Sequence, residues 1–224
     1  MTEWWTYSLR DLLLFSPRTY YRLFELYNVA LWPLQIITIA LGVVILLLWQ
    51  RGGKSATRVA FAILAIIWLW VAWAYHWQRY SSINWAANYY ALAFIFEALL
   101  LLYIVVRPDY FTQSSVKSVN DRAGLAPFLI SLLLFPLLGS LLGRPWAQAE
   151  VFGLAPDPTA LLTLSMLLLY KLRSAWWLLP IPVAWCVISG ATMWAMNAPE
   201  FVVVPLFALI VVSVIGFTNS TNRN

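Results

Sequence analysis

The stretch YYALAFIFEALLLLYIVV, residues 89–106, decides the fold class of this chain. A helix needs about 20 apolar residues to cross the hydrocarbon core of a bilayer, and this run supplies them with one interruption, Glu97, near its middle. The rest of the composition agrees. Of 224 residues, 62% are hydrophobic, 17% aromatic and only 10% charged, with a mean hydropathy of +0.77. Soluble domains carry about 25% charged residues, so lipid is the expected solvent for most of this chain. The expected fold class is all-α, a polytopic transmembrane helix bundle forming one domain over residues 1–224.

Reading outward on that basis places seven spans, at about 29–49, 59–77, 86–106, 126–143, 158–171, 174–196 and 201–218. The fifth, PTALLTLSMLLLY, is short, and six spans is the fallback if it does not cross. With the N-terminus outside, the inner loops hold Arg51, Lys54, Arg58, Arg107, Lys117, Arg122, Lys171, Arg173 and Arg223. The outer side holds Arg10, Arg18, Arg22, Arg79 and Arg144. The excess of basic residues inside favours an outer N-terminus and a cytoplasmic C-terminus. This distribution also accounts for the net charge of +5 without nucleic acid, and no basic run interleaved with aromatics is present.

Residues 1–28 read as an interfacial helical segment. Ser8 with Asp11 resembles a capping box. Ser16 followed by Pro17 predicts the N-cap and first residue of a second short helix. Within it Tyr20, Phe24, Tyr27 and Leu31 recur at helical spacing, with Arg18, Arg22 and Glu25 off that stripe. The chain then turns inward at Trp32–Pro33. The N-terminus carries acids early and lacks a basic region followed by an apolar one, so a cleaved signal peptide is not expected. Many of the fourteen tryptophans fall near span ends, as an aromatic belt requires. No internal repeat is convincing. Gly139 and Gly143 form a GxxxG pair, a place for close helix contact and a candidate contact with another copy or a membrane partner.

Glu97 is the first candidate for chemistry. A charge near the midplane costs at least about 2.5–3.5 kcal/mol, and no Lys, Arg or His lies at its depth in another span, so a neutral, protonated carboxyl is expected. Thr38, Thr163, Ser165, the Leu132 carbonyl freed by Pro136 and the Trp185 indole are its candidate partners. Glu97 is then either a proton-carrying or substrate-coordinating acid, or neutral glue between helices. Asp157, before Pro158, fits an N-cap opening the fifth span. His76, Arg79 and Asn88 belong to the polar outer loop HWQRYSSINWAAN, where they form a vestibule or an interfacial anchor. Pro136, Pro180, Pro182 and Pro205 fall inside predicted spans, as hinges or fixed kinks. One cysteine, Cys186, excludes an intrachain disulfide, and a single histidine argues against a zinc site. No metal or cofactor is expected, and no phosphate-binding loop, metalloprotease motif or nucleophile–base pair is visible.

EWWTYSLRDLLLFSPRTYYRLFELYNVALWPLQ and FGLAPDPTALLTLSMLLL together resemble the bacterial domain-of-unknown-function family 6064 of multi-span membrane proteins. The resemblance extends over nearly the whole chain and implies a loose permease label, although seven spans are too few for the twelve-span facilitator fold. In that family the position of Asp157 is frequently cysteine, and this chain departs there, which weakens a thiol or metal role for that turn. The expectation is a small transporter or permease-like protein of the bacterial cytoplasmic membrane, proton-linked through Glu97. The competing reading is a non-catalytic scaffold or accessory subunit, with a membrane-embedded enzyme third. The substrate is not legible.

Overall fold

Proline and glycine set where the helices begin and end. A computed structural model describes residues 14–107, 123–170 and 175–221, with side chains given to 217 and omitted at 175. Ser16 caps α1 (Pro17–Leu31), its Oγ accepting from the Thr19 amide at 3.2 Å, as Ser16–Pro17 predicts. The capping box at Ser8 and Asp11 lies outside the described residues. So do Arg10, Lys117, Arg122, Lys171, Arg173 and Arg223, which contribute to the count of basic residues.

Trp32–Pro33 separates α1 from α2 (Leu34–Arg51), so the first apolar helix starts five residues later than expected. Gly52 and Gly53, at φ +71° and +86°, turn the chain into α3 (Lys54–Trp70), a conformation that costs a residue with a Cβ. α3 runs on without a break into a π-helical stretch, Val71–Trp77, and α4 spans Ala87–Val106. The fourth apolar rod is α5 (Leu125–Leu129), a π-helical turn at Ile130–Leu134 and α6 (Phe135–Leu141). Pro136 has no N–H for the carbonyl four residues back, which is a reason for the ladder to widen there.

α7 (Pro156–Tyr170), α8 (Pro180–Ala195) and α9 (Val203–Thr221) complete the chain. Pro180 opens α8 with Pro182 in its first turn, and Pro205 is the third residue of α9. All three sit where a missing N–H breaks no ladder bond. Pro180 and Pro182 thus sit where a 3₁₀ turn at residues 175–178 gives way to α8, and Pro205 sits in the first turn of α9. Among the described residues there is no strand, only an isolated bridge between Phe152 and Ala155.

The fifth predicted span has become the centre of the bundle. Every residue of α7 from Pro156 to Leu169 is buried, and α3, α5, the π turn, α8 and α9 all pack on it. An apolar surface on every side is what such a position requires. At 15 residues the helix is about 22 Å long, shorter than a hydrocarbon core. It runs beside α2 in the same direction. Gly153, just before it, approaches Thr38. At its other end the Trp49 indole donates to the Leu169 carbonyl (3.0 Å), and the Tyr170 hydroxyl to that of Ile45 (2.8 Å).

Four helices are long and apolar enough to cross a membrane: Leu34–Arg51, Lys54–Ser82, Ala87–Val106 and Trp176–Ala195. Leu125–Leu141 and Val203–Phe217 are shorter and apolar. Their outer faces expose Ile36, Ile37 and Leu47 on α2, Leu92, Phe96 and Leu99 on α4, and Leu209 and Ile210 on α9, more contiguous apolar surface than a water-solvated monomer presents.

Close helix approaches are made at glycines. A Cβ at Gly124 would lie 2.7 Å from the Leu169 backbone nitrogen and 2.8 Å from its Cα, whereas one at Gly216 would meet nothing within 4 Å. Gly124→Ala is expected to lower stability by about 1–3 kcal/mol through overpacking against backbone. Gly216→Ala is expected to be neutral or slightly stabilising. Thermal unfolding of the two purified variants in detergent checks the contrast.

Candidate functional site

The π-helical stretch turns the end of α3 inward. The inserted residue shifts the side-chain register, and Val71, Ala72, Ala74, Tyr75 and His76 are all buried while Trp73 and Trp77 remain outside. His76 therefore leaves the predicted outer vestibule: it is fully buried, whereas Arg79 and Asn88 are exposed. Its ring lies 4.4 Å from Phe94 and 4.9 Å from Trp185, both edge-on, with Tyr75, Tyr80 and Tyr90 further round. Neither ring nitrogen has a hydrogen-bond partner among the described residues.

Glu97 is on the same buried stripe of α4 as Ala91, Phe94, Ala98 and Leu101. It is fully buried, and neither carboxyl oxygen has a partner among the described residues. Four of the five neutral groups expected to hold it are engaged elsewhere. The Thr38 hydroxyl donates to the Gln35 carbonyl (3.1 Å), Thr163 to that of Thr159 (2.8 Å) and Ser165 to that of Leu161 (2.8 Å). The Trp185 indole goes to Asp157.

Asp157 sits inside the first turn of α7 rather than ahead of it, and its carboxylate turns to α8 instead of capping its own helix. Oδ1 accepts from the Trp185 indole at 2.7 Å and Oδ2 from the Ser189 hydroxyl at 2.6 Å. Thr159 does the local work, accepting from the Gly153 amide (3.0 Å) and donating to the Ala155 carbonyl (2.7 Å). Further along α7 the Trp68 indole donates to Thr163 Oγ1 (2.9 Å).

Arg144, Glu150 and Glu200 form a cluster that sequence reading missed. Arg144 Nη1 reaches Glu150 Oε1 at 3.4 Å, and Nη2 reaches Glu200 Oε1 at 3.3 Å. The Tyr21 hydroxyl donates to that same Glu200 oxygen (3.0 Å). The guanidinium lies 4.3 Å above the Tyr21 ring. Gly139 makes room for this guanidinium, and Gly143 lies beyond α6 at φ +83° with open space around it. Asn28 fixes the same loop to α1, donating to the carbonyls of Ala147 and Ala149 at 2.8 Å each. A signal was present: in a chain with nine acidic residues, an acid between apolar segments has to find a cation.

Burial pushes the Glu150 carboxyl up to about 8, with the nearby Asp157 charge adding and Arg144 and its hydrogen bond opposing. Glu200 contributes in the same direction as Asp157. Among the described residues no group of three His, Cys, Asp or Glu side chains is arranged to hold a metal ion.

The model of a family described as a family of unknown function (DUF6064) matches residues 18–223. No curated protein and no solved structure matches the chain.

The carboxyl of Glu150 gives a pH signature. Its value in the folded chain is above that in the unfolded chain, so the folded state binds the extra proton between about 4.5 and about 8. The associated stability is complete below that window and is lost as pH rises through it. The unfolding midpoint in detergent is expected to fall between pH 6 and pH 9 (~3 pH units, spanning the upper part of the window). Glu150→Gln should flatten that decline, and an unchanged slope would refute the assignment.

Proposed function

The chain belongs to the family of unknown function DUF6064, and on that footing we propose that it is a small permease-like membrane protein that carries a proton through its core on Glu97. One contrast supports this reading. The buried polar side chains of α7 — Asp157, Thr159, Thr163 and Ser165 — all make hydrogen bonds. Glu97 and His76, equally buried, leave both carboxyl oxygens and both ring nitrogens without partners. Leaving such groups unpaired costs about 1–3 kcal/mol each. An ionisable residue within a span is by default a functional one. A carboxyl kept for structure alone would be bonded; one that changes partners during a cycle need not be in every state.

Phe94 joins the two groups. His76 packs on its ring at 4.4 Å, and Glu97 follows Phe94 by three residues on the same face, about 4.5 Å along the axis. Trp185 touches both His76 and Phe94 while donating to Asp157. In the proposed cycle, protons enter at the end of the bundle where α1 lies, through the carboxyls of Glu200 and Glu150 held by Arg144. They reach Asp157 and pass the aromatic layer of Trp185, His76 and Phe94 when it shifts to admit water. Glu97 receives the proton beyond that layer.

The proposal includes seven crossings, with α7 as a crossing shielded entirely by protein, in a bacterial cytoplasmic membrane with the N-terminus outside. The grouping of basic residues supports this. Arg18, Arg22 and Arg79 line one cleft and Arg144 packs on Tyr21 of the same α1. Arg51 and Lys54 flank the opposite turn, and Arg58 donates there to the Val105 carbonyl at 2.8 Å.

Proteoliposomes holding a pH-sensitive dye and subjected to a pH step provide the test. The wild type is expected to collapse the gradient faster than protein-free vesicles, and Glu97→Gln, close in shape but unable to exchange an acidic proton, to fall back to the vesicle background. A wild-type rate equal to that background, or an undiminished rate in Glu97→Gln, would overturn the proposal.

A further inference from the structure

A second site lies on the surface, independent of Glu97. Between α1 and the turn following the π-helical stretch is a cleft of ≈ 580 Å³ whose walls include Arg18, Arg22, Arg79, Gln148, Leu26 and Ile83. Cavities of roughly this size hold small ligands and headgroups. All three arginines are exposed, and they come from segments about sixty residues apart in sequence, brought together because the stripe of Tyr20, Phe24 and Tyr27 on α1 packs on Tyr75 and Tyr80.

The charges in the cleft do not cancel. Glu25 is its one carboxylate, and it is taken by Arg22 and by the Gln148 amide (3.4 Å). Arg18 and Arg79 have no carboxylate partner among the described residues. Two uncompensated guanidiniums converging on one opening match a phosphate group, which they bind in a bidentate manner. Leu26 and Ile83 in the same wall, with Val29 and Trp32 exposed further along α1, give the cleft an apolar side as well. Arginines above an apolar lip on an amphipathic helix suit an anionic phospholipid, headgroup inward and acyl chains along the bundle.

We propose that this cleft is a phosphate-recognition site formed by Arg18, Arg22 and Arg79, occupied by the headgroup of an anionic phospholipid or by the phosphate of a soluble ligand. The basic turn at Arg51 and Lys54, between α2 and α3, provides the charge-matched comparison.

Native mass spectrometry of the full chain released from nanodiscs tests it, comparing phosphatidylcholine with mixtures containing phosphatidylglycerol. The expected result is a one-to-one phosphatidylglycerol adduct preferred about tenfold over phosphatidylcholine. Arg18→Gln with Arg79→Gln should abolish that preference, and Arg51→Gln with Lys54→Gln should retain it. Both pairs remove the same charge from exposed positions, and equal unfolding midpoints would verify that each variant folds. If inorganic phosphate displaces the adduct, the site takes free phosphate as well; if it does not, the site reads the lipid. Equal retention of the two lipids without any effect of inorganic phosphate on the unfolding midpoint, or loss of the preference in both double variants, would overturn the proposal.

Discussion

A helix with no exposed side has to find every partner for its polar groups among its neighbours, and α7 imposes that demand on the whole bundle. Its fourteen buried positions include Asp157, Thr159, Thr163 and Ser165. Trp68 on α3 and Trp185 with Ser189 on α8 are placed to meet them. Close packing follows from the same demand. In the membrane setting we propose, the gain between apolar helices comes from contact and hydrogen bonding rather than from the hydrophobic effect. Gly124 admits the backbone of Leu169 against it, and Gly190 admits Pro205 of α9 beside α8. The loop leading into α7 is held from outside by Asn28 and Arg144.

Other buried polar atoms also go unbonded among the described residues, the Tyr75 hydroxyl included, but Glu97 and His76 are the two side chains whose polar atoms are both left so. Each is as buried as Asp157, yet neither is bonded, while Asp157 is held through both oxygens. His76 lies against Phe94, in the layer of aromatic rings between the carboxyl cluster at one end of the bundle and the middle of α4, and Glu97 follows three residues further along α4. Asp157 is where the two regions meet, facing Trp185 on one side and influencing Glu150 on the other.

Much of the architecture was legible because its signals are local. Ser16–Pro17 and Trp32–Pro33 act through their own backbone chemistry and mark boundaries in one dimension. Apolar run length identified the rods. The depth of His76 was not legible: VAWAYHW has the same apolar pattern as an α-helix, and only the π-helical shift reveals which side chains point inward. Prolines 180, 182 and 205 fall inside the predicted spans because run length alone does not separate a helix start from the turn before it. The fifth apolar run is too short to prefer lipid over protein, so its central place emerges only from the packing of the others. The cluster joins Arg144 and Glu150 to Glu200 and Tyr21, both distant in sequence, and Glu97 without a partner is a fact about its surroundings rather than about its own helix.

The account is tested most directly by infrared spectroscopy of the Glu97 carboxyl in a reconstituted bilayer, with the wild type and Glu97→Gln compared in light and heavy water. It predicts a protonated-carboxyl band that is absent from Glu97→Gln and moves to its deuterated position within minutes, because the core opens to deliver and remove that proton. A Glu97 band that stays unexchanged while the amides of the flanking loops exchange fully would contradict it and leave Glu97 a sealed acid with no part in transport.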